Sequence, residues 1–410
     1  MRRALLCAAL AILLGPSGSG AQSLTLTESE ALARLSAGGA RERALRAGVD
    51  IARADVLSAQ RWPNPRLTVN REAVAGVTEY ITTISQPLPI TGRRSLEVQA
   101  ASALASATSS RADDGVRRLR ADLRLAFAEL LVAQAREREL TNARDRLRGL
   151  VAVLAAREAA GDTAGFDRLR AAREVLDLET DLALAATDRT RAQAVLAAFF
   201  ADGIDAARIV AVPGPPGVGE APMPSLDALL ARAETTRGEL VALRHDVEAA
   251  GFAARAADRR WVPEPEIVGG TKSATFPAVD VGSVIGVNAT VPLFDRGRPE
   301  RALAVARASQ ADAHAASFRQ VLRGQVAALR EGVIQRRAAA ARYRAEAVGG
   351  AADIERIAQV SYEAGERGIL ELLDAYRLGA SARVRQAMLD AAARESAIEL
   401  EFATGWEMPE

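Results

Sequence analysis

Most of the chain reads at a helical period, and the positions where that period fails are few and paired. From Val116 the positions 116, 119, 123, 126, 130, 133, 137, 140, 144, 147, 151 and 154 advance by alternating threes and fours, and all are apolar except Glu137 and Arg144. That is a heptad seam of the coiled-coil kind, and a continuous helix from Arg93 to about Ala160 would be roughly 100 Å long at 1.5 Å per residue. A less pure version starts at Pro299 and includes Val326, Leu329, Val333, Arg336, Ala340, Tyr343 and Ala347. Both long segments break at glycine-containing turns, where Gly161 and Gly365 supply the reversal, and helices over 166–200 and 369–403 return from them.

The rest of the pattern also comes twice. "LTLTESEALARLSAGGARERALRAGVDIARADVLSAQ" reads as one helix with Thr27 as N-cap and Glu30 three residues on, ending at Trp62, Pro63 and Pro65. "PSLDALLARAETTRGELVALRHDVEAAGFAARAADR" reads as its counterpart from Ser225, ending at Trp261, Pro263 and Pro265. After each proline cluster two short segments lose the helical period: 66–73 and 79–87 joined through Gly76, then 265–272 and 281–292. These read as β-hairpins. In the last segment Val281, Ile285, Val287, Ala289 and Val291 share one face while Gly282, Gly286, Asn288 and Thr290 share the other, at the length a tilted barrel strand needs. The first hairpin alternates less cleanly, with Leu67 and Val69 opposite Thr68 and Asn70; taken alone, a soluble hairpin fits it equally. Pro87 and Pro89 have no N–H to donate and so end strand pairing, Gly92 allows the change of direction into the long helix, and Pro292 and Gly297 play the matching parts.

The resulting organisation is a first structural repeat over 22–205, a Pro/Gly-rich linker over 206–224, a second repeat over 225–405 and a short tail, 406–410. Residues 1–21 have an Arg2/Arg3 n-region, an apolar run from Ala4 to Leu14 and small residues near Ala21, the layout of a cleaved signal peptide. An uncleaved anchor is the alternative, but the apolar run is too short to span about 30 Å of hydrocarbon. Cys7, the only cysteine, lies in that segment. No later apolar run could form a transmembrane helix, yet an exported chain can still cross a bilayer as strands. Four strands cannot close a membrane barrel, where the smallest single-chain barrels use eight; three copies would supply twelve and continue them as a helical tunnel.

Composition narrows the function. Aromatics are 4% and the hydrophobic share of 49% is largely alanine, which suits slender helix packing. The 53 basic and 52 acidic residues are interspersed, leaving no basic stripe for nucleic acid. Lys272 is the only lysine, and nothing is read from it at this level. His245 and His314 lack neighbouring ligands of the kind a zinc site needs, and no nucleophile with a base or phosphate loop is found. The expectation is a non-enzyme without cofactor or metal centre.

The stretches "SQPLPITGRR", "VPLFDRGR" and "YEAGERGILELLDAY", in this order inside a duplication that covers essentially the mature chain, resemble the TolC-like outer membrane efflux proteins. The resemblance implies a mainly α fold with a small β part: a homotrimer with a 12-stranded barrel in outer membrane lipid, continued by coiled-coil hairpins into the periplasm of a Gram-negative cell. It implies docking on a periplasmic adaptor (membrane fusion) protein and an inner membrane pump of the proton-driven RND type. Length and local motif are most similar to the branch serving cobalt, zinc and cadmium pumps; the lipidated cysteine that many drug-efflux members carry is missing.

The family's acidic constriction carries over to Glu371 and Asp374. Three residues apart, they lie on one helix face, with Arg367 as a candidate ion-pair partner in the closed state. The plainer reading is solvated charges near a helix start, where acids favour the dipole. The tips, Gly161, Asp162, Gly165 and Phe166 with Gly365, Glu366, Gly368 and Ile369, are candidates for adaptor docking, against a plain helix turn. Trp62 and Trp261 fit membrane-interface anchors or packed helix ends. A conduit for type I protein or peptide secretion is the alternative within the fold; a periplasmic coiled-coil tether is the alternative outside it.

Overall fold

The computed structural model describes residues 23–35, 39–161, 165–200, 204–214, 222–275 and 280–407. The expected signal peptide with Cys7, Asp162, residues 215–221 of the linker and residues 408–410 of the tail lie outside them. The chain forms two compact units that cut across the two repeats: one joins residues up to Leu35 to Ala126–Pro215, the other joins Ser36–Leu125 to the residues from Pro216 on.

In the first unit, strand β1 (Leu24–Leu26) pairs in parallel with β4 (Ile209–Ala211). Gln134 closes the edge of β4, donating to the Ala211 carbonyl at 2.9 Å and accepting from the Ala211 N–H at 2.8 Å. Helix α1 (Glu28–Arg34) starts at Thr27, whose side chain and Glu30 form a full capping box. The distal part of α3 (Arg93–Ala159) and α4 (Gly165–Ala197) complete the unit. Leu130, Leu147, Leu154, Ala185 and Leu196 are buried here, and Arg136–Asp188, Arg189–Glu137 and Arg148–Glu179 tie the two helices at 3.1, 2.7 and 2.5 Å. Every residue of the α3 seam is buried or half-buried.

The second unit holds α2 (Ala40–Gln60), β2 (Arg66–Val74), β3 (Val77–Pro87), the first part of α3, α5 (Leu226–Thr236), α6 (Gly238–Asp258), β5 (Pro265–Ala274), β6 (Asp280–Ala289), α7 (Arg298–Tyr343), α8 (Gly349–Glu363) and α9 (Ile369–Thr404). Leu229, Ala233, Leu240, Leu322, Val326, Val333, Ala397 and Leu400 make a continuous core between α5, α6, α7 and α9. Arg118 spans from α3 to both oxygens of Glu399 at 2.8 and 2.9 Å.

Four expectations are corrected. The segment from residue 24 whose sequence predicts one helix is a strand followed by α1 and α2, because Leu24–Leu26 finds a partner strand within the 206–224 linker. The helix from Ser225 breaks at Arg237, whose side chain reaches Asp114 at 3.3 Å and stacks over Phe402 at 4.4 Å; that anchor and the N–H of Gly238 on Asp114 at 3.2 Å hold the bend. The long helix from Pro299 passes through a π-helical turn, Arg344–Val348. Pro87 does not end pairing: it stays in register with Glu266, and the N–H of Leu88 still donates to Pro265 at 2.9 Å.

Candidate functional site

The four-stranded sheet of the second unit is antiparallel throughout, in the order β2-β3-β5-β6. Ala75 and Gly76, with φ of 50° and 85°, make the tight turn between β2 and β3, the mirror-image geometry that matches strand twist. Register sorts the side chains into two faces, because directly opposed residues point the same way. Leu67, Val69, Tyr80, Ile84, Ile267, Val281, Ile285 and Val287 all fall on one face. All are exposed, Ile285 at 87%. The opposite face carries Thr68, Asn70, Glu72, Glu79, Lys272, Gly282, Gly286 and Asn288. Along β3 it is the more sheltered of the two, with Ser85 buried while Tyr80 and Ile84 are exposed. A sheet of a water-soluble protein hides its apolar face; this one displays it.

The strand-to-helix junctions repeat one device. The N–H of Ile90 donates to Leu88 across Pro89 at 2.8 Å, and the N–H of Leu293 to Val291 across Pro292 at 2.9 Å, each a γ-turn centred on the proline. Gly92 and Gly297 then adopt left-handed φ of 73° and 75°. At Gly297 a Cβ would stand 2.2 Å from the Ala257 carbonyl oxygen, so the glycine also permits close packing on α6. The first junction is locked by Glu264, which accepts from Arg93 at 2.9 Å and from Thr91 at 2.9 Å. Burial acts to raise the Glu264 pKa, but these bonds outweigh it and hold the carboxyl below its usual range.

At the second tip, Glu366 N–H donates to Ser361 at 2.9 Å and Gly365 N–H to Tyr362 at 3.0 Å, with Gly365 at φ 74°. This is the paired bonding of a glycine-terminated helix end. At the first tip Gly161 has φ 92° and donates to Glu158 at 3.0 Å. Phe166 is 68% exposed beside Gly165. Gly365, Glu366 and Gly368 are exposed as well, but Ile369 is buried and its side chain does not reach the tip surface; the exposed apolar residue there is Leu370.

Glu371 and Asp374 project to the exposed side of α9 while Leu372, Leu373 and Ala375 are buried. Arg367 is exposed, and among the described residues it forms no ion pair with either acid within the chain. His245 does have a carboxylate, Glu248 at 3.1 Å, against the sequence expectation; no group of three or more ligating side chains that could hold a metal occurs among the described residues. No described helix is long and apolar enough to cross a membrane. Trp62 and Trp261 are more than half exposed, and Arg94 lies over Trp62 at 5.4 Å.

The second unit thus holds a four-stranded antiparallel sheet that displays its apolar face and runs on into long helices. Residues 229–406 match the family described as outer membrane efflux protein. The cobalt-zinc-cadmium resistance protein CzcC of Cupriavidus metallidurans is 28% identical over 357 residues, 82% of this chain and 80% of that protein. In fold, a membrane protein from Pseudomonas aeruginosa superposes with a TM-score of 0.78 over 92% of each chain at 19% identity. The outer membrane protein VceC of Vibrio cholerae gives 0.73 over 93% of this chain and 96% of that one at 17% identity. By sequence over its second repeat the chain is similar to the outer membrane efflux protein family, and by fold over nearly its whole length it is similar to solved bacterial outer membrane channels.

Proposed function

We propose that this protein is the outer membrane channel of a tripartite efflux system: a passive homotrimer that takes heavy-metal cations from an adaptor and an inner membrane pump. The inside-out sheet carries the reading. Its apolar face suits lipid, its polar face suits a water-filled lumen, and the open edges of β2 and β6 invite pairing with further copies, three of which would close twelve strands. Glu371 and Asp374, exposed on one face just beyond the tip, would form two anionic rings in the trimer, attracting cations and narrowing the entrance. Arg367 would then pair between chains. At each tip separately, the exposed apolar residue, Phe166 at the first and Leu370 at the second, with its glycine turn would be offered to the adaptor. The similarity to a cobalt-zinc-cadmium resistance protein supports the cation assignment.

The test is single-channel conductance in planar bilayers for the wild type and Glu371→Ala/Asp374→Ala. Small cation-selective currents that enlarge or lose selectivity in the variant are expected. Folded protein that never inserts would overturn the conduit; currents unchanged by the variant would overturn the gate alone.

A further inference from the structure

The strand register places three carboxylates in one row across the polar face. Glu72 lies opposite Glu79, Glu79 opposite Ala274, and Ala274 opposite Asp280. The row sits beside the β2–β3 turn, at the end of the sheet away from the helices. Like charges directly opposite one another destabilise an antiparallel pair, so Glu72 and Glu79 need a counter-charge. It comes from the next row, Asn70–Ile81–Lys272–Gly282, where Lys272 Nζ stands 2.7 Å from Glu79 Oε2. This is the single lysine of a chain in which every other basic side chain of that class is arginine. The remaining charges on the polar face, Arg66 and Glu266, sit 4.0 Å apart at the helix end of the sheet and offset each other.

We infer that Lys272 is a specificity-determining residue for ion passage: a tethered cation that neutralises part of the acidic row and so limits the cation preference of the conduit's outer end. An ammonium suits this role because it is a compact point charge on a flexible stem. The sheet's polar face carries four acids against two bases with Lys272 present. Removing the lysine leaves one base, and each further copy of the chain repeats the change. The inference rests on the conduit reading, with the polar face lining the path.

Reversal potentials across a KCl gradient in planar bilayers test it, using the full-length protein in the Glu371→Ala/Asp374→Ala background so that the inner acids do not mask the outer row. Wild-type and background currents report on the conduit itself; their absence would sink that reading and is read separately. Given currents, Lys272→Gln should raise the K⁺ to Cl⁻ permeability ratio by about twofold in 0.1 M salt and by more in 0.01 M, as screening weakens, while Lys272→Arg restores it. Glu79→Gln provides an independent arm and should lower the ratio. A ratio unmoved by either Gln substitution would overturn the assignment, as would Lys272→Arg behaving like Lys272→Gln.

Discussion

Two glycines and one carboxylate show how single residues set the turns. Gly76 and Gly297 both have left-handed φ, but nothing lies within 4 Å of a Cβ added at Gly76, whereas at Gly297 it meets the Ala257 backbone at 2.2 Å. Gly76→Ala should cost only the conformational penalty of about 1 kcal/mol, while Gly297→Ala adds a clash that only movement of α6 against α7 can relieve. Urea unfolding in detergent should therefore rank the second variant clearly less stable; equal losses would show that the junction is loose. Glu264 makes a prediction of opposite character, in pH rather than packing. Its folded pKa is depressed, so its contribution is complete above the ordinary carboxylate range, near pH 4.5 and higher, and fades as pH falls through the folded value. The stability gap between wild type and Glu264→Gln should be constant from pH 8 to about 6 and close below about 4.5. A gap that widens in acid would reverse the sign of the argument.

At the scale of elements, α3 carries the clearest expectation. Leu123 in its seam is fully buried, while Val153 is 53% exposed on the same helix. Leu123→Ala should cost about 2–5 kcal/mol and Val153→Ala less than about 0.5, by the same unfolding assay; similar losses would mean that the seam is not the packing stripe. The α3 helix was legible because a heptad is a local signal repeated many times. The strands were legible because their alternation broke that period, and the Leu67 and Val69 alternation gained meaning only once register set it beside Tyr80, Ile84 and Ile267. What could not be read has non-local causes. Strand β1 exists because residues 209–211, far along the chain, lie beside it. The break at Arg237 has only Gly238 as a local mark, with no proline, and depends on Asp114 and two phenylalanine rings contributed by other helices. For the candidate gate, spacing alone put Glu371 and Asp374 on one face, but the burial of Ile369 within the tip needed the folded hairpin.

For the molecule as a whole, the solvent that its sheet meets decides what a surface charge does. Ile285, at 87% exposure, would be a harmless place for a lysine on a water-soluble protein, and even a gain in solubility. On a lipid-facing strand the same substitution costs about 2–4 kcal/mol near the bilayer midplane. Asn288 lies on the same strand with its side chain on the opposite face, so Asn288→Lys places an equal charge at nearly the same height but toward the lumen. We therefore expect Ile285→Lys to fall out of the outer membrane fraction and lose the heat-dependent gel shift of a closed barrel, while Asn288→Lys keeps both. Equal tolerance of the two would place both faces in water and return the sheet to a periplasmic tether. Equal loss would instead put both faces in contact with protein or lipid, leaving no lumen for a conduit. Only the asymmetric result follows from strands that divide lipid from water, and the apolar face that carries Leu67, Ile84, Ile285 and Val287 predicts that asymmetry before any cargo or partner is known.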